Sequence, residues 1–180
     1  MDRSITQWIN ALAGSNVLLD SAMITMTKFG VPFLLLLVIL QWWSRRGKLH
    51  VRHACVTAGF SLLIGLGLNQ IILLFVHRVR PYDVGVTHLI IDRSADWSFP
   101  SDHATATFAI AFGFLLHGVA WRGLAFLAFA LLMCVSRVYV GTHYGSDVLG
   151  GAVTGIIAAG AVRFAYWEGT RVDRFITGIL

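Results

Sequence analysis

Charge is what this sequence has least of. Only 13% of its 180 residues are Asp, Glu, Lys or Arg, while 57% are hydrophobic. A soluble domain carries about 25% charged residues. So little polar surface does not clothe a soluble globule, and an integral membrane protein is expected. The formal net charge of +5 suits the anionic face of a membrane. The aromatic-basic pattern of a nucleic-acid reader is missing. Cysteine is scarce: Cys55 and Cys134 both fall inside apolar runs and read as buried thiols, not a disulfide or a metal site. The opening "MDRSITQWIN" lacks the charged-then-apolar pattern of a cleaved signal peptide. There are no repeats and no low-complexity linkers, and the length suggests one domain, 1–180.

Long apolar runs are abundant. A bilayer-spanning helix needs about 20 mostly apolar residues. Five stretches qualify: Ile24 to Trp43, Ala54 to Val76, Ala104 to Trp121, Gly123 to Val140 and Val148 to Trp167. Ahead of them, Ile5, Trp8, Ile9, Leu12 and Ala13 recur at helical spacing. That stretch predicts an amphipathic helix lying in the interface, or a sixth element of the bundle. The expected fold is an all-α, polytopic membrane helix bundle of five spans plus this N-terminal helix.

Orientation follows from Lys and Arg. Arg45, Arg46, Lys48 and Arg52 follow the first span, Arg122 follows the third, and Arg171 and Arg174 lie in the tail. Five spans put all of these on one side, which is then cytoplasmic. The opposite, outer side receives the links Tyr82 to Asp102 and Gly141 to Asp147. Arg80, His103, Arg137, His143 and Asp147 gather there, at the ends of four spans.

Three short motifs carry these groups. In "HRVRPY", Pro81 ends the second span and leaves Arg80 at the membrane surface; taken alone, this fits simple snorkelling better than a binding role. In "SFPSDHATATFA", Ser101 is a helix N-cap with Asp102 and His103 in the first turn. The free N–H groups there make an anion site, and a histidine beside it can give a proton to a departing oxygen. An ordinary capped helix explains Pro100, Ser101 and Asp102 but not His103. In "SRVYVGTHYGSD", Arg137 ends the fourth span, His143 lies in the turn and Asp147 opens the fifth. His143 and Asp147 meet either at i, i+4 on one helix face or through a tight turn. A carboxylate on one ring nitrogen frees the other to attack. Arg137 can brace phosphate oxygens with paired hydrogen bonds. A structural ion pair closing the hairpin is the alternative, but ionisable clusters at a membrane boundary mark function by default.

Together the motifs resemble the type 2 phosphatidic acid phosphatase and vanadium haloperoxidase superfamily. Its signatures are Lys-x6-Arg-Pro, Pro-Ser-Gly-His and Ser-Arg-x5-His-x3-Asp. The third is met in full by Ser136, Arg137, His143 and Asp147. The second is met with Asp102 in place of glycine. The first is met by Arg80 and Pro81, with Leu73 where the lysine stands and Arg78 as a candidate substitute. "SFPSDHAT" with "SRVYVGTHYGSDVLGG" is similar to the bacterial undecaprenyl pyrophosphate phosphatases of this superfamily, in which aspartate replaces the glycine.

The resemblance implies an enzyme of the bacterial inner membrane, with its site on the extracytoplasmic side. It would cleave undecaprenyl diphosphate to the monophosphate, recycling a lipid carrier for cell-wall synthesis. His143 is then the nucleophile, Asp147 its orienting carboxylate and His103 the acid. Arg80, Arg137 and Ser101 hold phosphate oxygens, with Arg78 and Asp102 as further candidates. No metal or other cofactor is implied, and metal-ligand spacing such as His-Glu-x-x-His is absent. The partners are the membrane and its lipid substrate, not nucleic acid. Alternatives are a phosphatase for phosphatidylglycerol phosphate, phosphatidate or lipid A, and a transporter-like bundle. A haloperoxidase is disfavoured because those enzymes are soluble. "VGVTHLII" is apolar enough to border a lipid entrance or to be a passive surface loop. Gly151, Gly155 and Ala159 form a row suited to close helix packing.

Overall fold

A computed structural model describes residues 1–45 and 47–179. Arg46, counted above among the cytoplasmic charges, lies outside the described residues. The chain forms seven helices: α1 (Asp2–Asn10), α2 (Val17–Gln41), α3 (Lys48–Leu73), α4 (Asp102–Leu115), α5 (Ala120–Tyr139), α6 (Gly145–Ala165) and α7 (Arg171–Thr177). Among the described residues there is no strand. Four helices, α2, α3, α5 and α6, are long and apolar enough to cross a membrane, and the fold is a multi-pass membrane helix bundle.

The third expected span is shorter than its apolar run. α4 has 14 residues, about 21 Å at 1.5 Å per residue, short of the ~30 Å hydrocarbon core. It stops because Gly118 takes φ +78° and turns the chain toward α5. α4 nevertheless runs the depth of the bundle beside α3. Asn69 meets Asp102 and Thr105 at one end, and Gly113 lies against Ala58 nearer the other. It is the central helix, packed on α3, α5 and α6 and buried along most of its length. The others expose Phe29, Phe33, Ile39, Leu63, Leu131 and Ile157 outward, as a lipid-facing surface requires.

Close approach at the centre depends on small residues. A Cβ on Gly155 would stand 2.6 Å from the Thr105 carbonyl oxygen and 2.8 Å from the Ala109 nitrogen, so α4 and α6 touch backbone to backbone there. Gly151 meets Ser101 and Thr105 in the same way, and Ala159 is fully buried. The small-residue row is thus the α4–α6 seam. Cys55 is buried, Cys134 is partly so, and both are free thiols.

The two ends of the bundle differ. At one end α1, the 74–101 link and the α5–α6 turn interlock. At the other, α7 docks on α3. Arg52, counted among the loop cations, is buried there, with Nε donating to the Trp42 carbonyl and Nη1 to that of Thr177. His53 and Asp173 form a buried pair at 2.8 Å. Neither α7 nor this pairing was legible in the sequence, because a seven-residue helix has too few turns to show a pattern.

Candidate active site

The site grows from the turn between α5 and α6. Gly141 sits at φ +87°, and a Cβ there would come 2.5 Å from the His88 carbonyl oxygen, so only glycine lets the link pass over the turn. Thr87 Oγ1 donates to the Gly141 carbonyl at 2.8 Å, and Asn10 of α1 holds both the amide and the carbonyl of His88. "VGVTHLII" is therefore tied over this turn; Val84 is half exposed.

The turn buries His143, which is 3% exposed. Its Nδ1 lies 2.8 Å from the Ser98 carbonyl oxygen. A carbonyl only accepts, so in the neutral ring Nδ1 carries the proton and Nε2 keeps its lone pair. Nε2 faces Arg80 Nη1 at 3.4 Å, and His143 lines a small pocket. Burial, with Arg137 and Arg80 nearby, pushes the imidazole down to about 4 against the opposing pull of Asp147. At neutral pH Nε2 is therefore unprotonated, its lone pair turned toward Arg80.

Of the two routes expected to bring Asp147 to His143, the structure takes the turn. α6 begins at Gly145, so the turn, not a shared helix face, brings the two residues together. The Asp147 carboxylate is 3.6 Å from His143 Nδ1. Its direct partners are Ser98 Oγ at 2.5 Å, the Tyr144 amide at 2.8 Å and Arg78 Nη1 at 2.5 Å. The carboxylate fixes Ser98, and the Ser98 carbonyl fixes the ring. Arg78 lies behind Asp147, away from the pocket lining. Its guanidinium joins Asp147, Ser146 and Asp2 and lies 4.0 Å above the Tyr144 ring. Leu73, at the position of the motif lysine, lines the pocket, and Arg78 does not.

The pocket holds about 80 Å3 and is walled by Arg80, Arg137, His103, His143, Asp96 and Asp102. Arg80 is buried and saturated: it donates to the carbonyls of Asp96, Thr142 and Trp97 and to the Asp96 carboxylate at 2.8 Å. Burial raises the Asp96 carboxyl, but Ser94 and Arg80 outweigh that and hold it below the usual carboxylate range. Arg137 is the opposite case. It is 6% exposed, its Nε has no partner, and among the described residues no ion pair holds it. A buried, unpaired guanidinium is costly unless an anion joins it. Ser101 Oγ is also buried without a partner. Ser101 is the N-cap of α4, where its own amide donates to the Asp147 carbonyl. Asp102 turns away onto Asn69 Nδ2 at 2.6 Å. His103 lies beside the Thr27 backbone of α2.

His103, Arg137 and Ser94 also line a second chamber of about 290 Å3, which opens past Lys28 of α2. Among the described residues no group of three or more His, Cys, Asp or Glu is disposed to hold a metal ion. A larger apolar hollow of about 480 Å3, between Val38, Trp42, Cys55 and Ile179, lies at the other end, with no charged side chain in its lining.

The structure thus gathers His143, His103, Asp147, Arg80, Arg137, Ser101 and Asp102 and sets Arg78 behind them. Sequence reasoning missed Ser98, Asp96, Asn69 and Asp2. Ser98 stands inside the quoted second motif, but its role is exerted through a carbonyl, which every residue has.

Known proteins resemble this chain in sequence and in fold. Over 159 residues the chain is 35% identical to undecaprenyl-diphosphatase BcrC of Bacillus subtilis (strain 168), covering 87% of this chain and 80% of that protein. The crystal structure of Aquifex aeolicus LpxE superposes with a TM-score of 0.73 at 25% identity, over 92% of this chain and 95% of that one. The transmembrane PAP2-type phosphatidylglycerolphosphate phosphatase of Bacillus subtilis has the same fold, with a TM-score of 0.69 at 23% identity over 94% and 86% of the two chains. The PAP2 superfamily profile matches residues 54–171, and the chain belongs to that superfamily.

Proposed function

We propose that this protein hydrolyses a polyprenyl diphosphate, undecaprenyl diphosphate foremost, to the monophosphate at the outer face of the bacterial inner membrane. The observation that carries the phosphoryl chemistry is Arg137, buried and unpaired beside a histidine whose Nε2 lone pair faces the same 80 Å3 pocket. The similarity to BcrC supports the diphosphate substrate. The cluster of basic residues at the end opposite the pocket supports the outer-face placement.

In the first step Nε2 of His143 attacks the terminal phosphorus. The N–P bond forms as the bridging P–O bond breaks, and His103 delivers a proton to the departing oxygen. Arg80, Arg137, Ser101 Oγ and the α4 N-terminal N–H groups take up the charge on the equatorial oxygens. Arg80 exchanges Asp96 for the phosphate as it does so. In the second step water attacks the phosphohistidine and gives its proton to His103. Phosphate leaves, and Nε2 regains its lone pair. Asp147 acts through Ser98, keeping Nδ1 protonated and the ring fixed while positive charge develops. The guanidinium groups supply the electrostatic stabilisation that a metal gives elsewhere.

The test is phosphate release by the purified protein from farnesyl diphosphate and from phosphatidylglycerol phosphate, with and without chelator. Preference for the diphosphate, undiminished by chelator and inhibited by orthovanadate, is the expected result. Preference for the glycerophospholipid overturns the substrate. Loss of activity in chelator, restored by magnesium, overturns the metal-free mechanism.

A further inference from the structure

The 80 Å3 pocket around His143 fits the phosphoryl group under attack and little more. The leaving group must then sit on the far side of His103, since His103 protonates the departing oxygen. The neighbouring space that shares His103 and Arg137 with the pocket is the second, 290 Å3 chamber, and the leaving group is assigned to it. Two cations stand on its wall that no motif contains: Lys28, from the first long helix α2, and Arg93, from the 74–101 link. Both are held at the exposed surface, Lys28 by Asp92 of the same chamber wall and Arg93 by Asp83 and by the Tyr82 ring 5.3 Å away. Lys28 Nζ is 3.4 Å from an Asp92 carboxylate that is 94% exposed, and Arg93, itself 71% exposed, reaches Asp83 at 2.8 Å. Exposed pairs of this kind contribute little, so both cations can exchange their carboxylates for a stronger anion.

The identity of the leaving group says what they are for. A phosphomonoester releases a neutral alcohol. A diphosphate releases a second phosphate, which gains negative charge as the bridging bond breaks. Cations placed against that charge stabilise the transition state for a diphosphate and not for a monoester. We infer that Lys28 and Arg93 form the binding site for the phosphate that stays on the lipid, and that this site selects lipid diphosphates over lipid monophosphates. The inference rests on the proposed phosphatase reaction, with His103 between the two chambers. It also gives a task to a lysine in the body of an apolar helix whose one other charge is Asp20 in its first turn.

The test uses full-length protein in detergent, wild type and the variants Lys28→Gln, Arg93→Gln, the double variant and Lys28→Arg. kcat/KM is measured for farnesyl diphosphate and for farnesyl monophosphate. Each neutral variant should lower the ratio of diphosphate to monophosphate kcat/KM by about tenfold, as expected for loss of one charge-assisted contact. The double variant should lower it further, and Lys28→Arg should restore most of it. Inhibition by orthovanadate, which reports the His143 pocket, should persist in all of them. An unchanged ratio, or equal losses on both substrates, overturns the inference while leaving the phosphatase reading intact. A wild-type protein that does not cleave the diphosphate overturns that reading and the inference together.

Discussion

Removing one carboxylate outside the pocket tests whether the N-terminal helix is part of the catalytic machinery. Asp2 accepts from Arg78 Nη2 at 2.7 Å, the Ser146 amide at 2.9 Å and Ser146 Oγ at 2.6 Å. Arg78 and Ser146 pass this restraint to Asp147, and Asp147 passes it through Ser98 to His143. Charge-assisted hydrogen bonds contribute roughly 1.5–3 kcal/mol each when buried. Asp2 and Arg78 side chains are 33% and 31% exposed, so screening reduces the three together to about 2 kcal/mol. Asp2→Ala should therefore lower Tm by several degrees. Because the turn loses its anchor, kcat should fall about tenfold, with KM nearly unchanged since Arg80 and Arg137 are untouched. A variant with lower Tm but wild-type kcat would show that α1 is only an anchor and refute the reasoning. pH gives a second check. Burial raises the Asp2 carboxyl, but Ser146 and Arg78 together hold it below 3.8. Its contribution is thus fully present above pH 3.8 and lost as pH falls through the lower folded value. The Tm gap between wild type and Asp2→Ala should close in that window.

Four further outcomes are expected. His143→Ala should abolish turnover and the acid-labile phosphoenzyme together; His103→Ala should slow turnover severely yet leave a phosphoenzyme trappable by acid quench when the leaving group is good. With the His143 imidazole depressed to about 4, the acid limb of kcat/KM should fall near pH 4, and the fold should lose stability as pH drops from about 6.5 toward that value, because the unfolded chain binds the proton first. Asp96→Asn removes the carboxylate that occupies Arg80 and should lower KM for the phosphorylated substrate several-fold, read from initial rates; a raised KM would show that Asp96 supports Arg80 instead of competing with substrate. In intact cells, cysteine at Gly47 should resist impermeant thiol reagents and cysteine at Ser94 should react; the reverse pattern puts the site inside.

The legible parts of this protein are those written in local pattern. Low charge and long apolar runs determined a membrane helix bundle, since each span satisfies its own backbone hydrogen bonds and needs only apolar side chains. The motif residues His103, Arg137, His143 and Asp147 were legible because such groups at a membrane boundary are costly without a task. The small-residue row was legible because close helix contact excludes larger side chains. What the tertiary structure decided depends on contacts between distant segments. Gly118 ends α4 at Leu115, six residues short of the apolar run to Trp121, because hydropathy senses composition and not backbone dihedral angle. Arg78 and Arg80 differ by two positions and look alike in sequence. One braces Asp147 and Asp2, the other enters the pocket, and only the path of the 74–101 link separates them. Asp2 and Asp147 are joined through Arg78 across nearly the whole chain, and His143 is held by a main-chain carbonyl whose chemistry no residue type announces. Side-chain identity fixed which groups were available for phosphoryl chemistry; their partners were chosen by packing, because a hydrogen bond depends on a distance of about 3 Å that sequence separation does not encode.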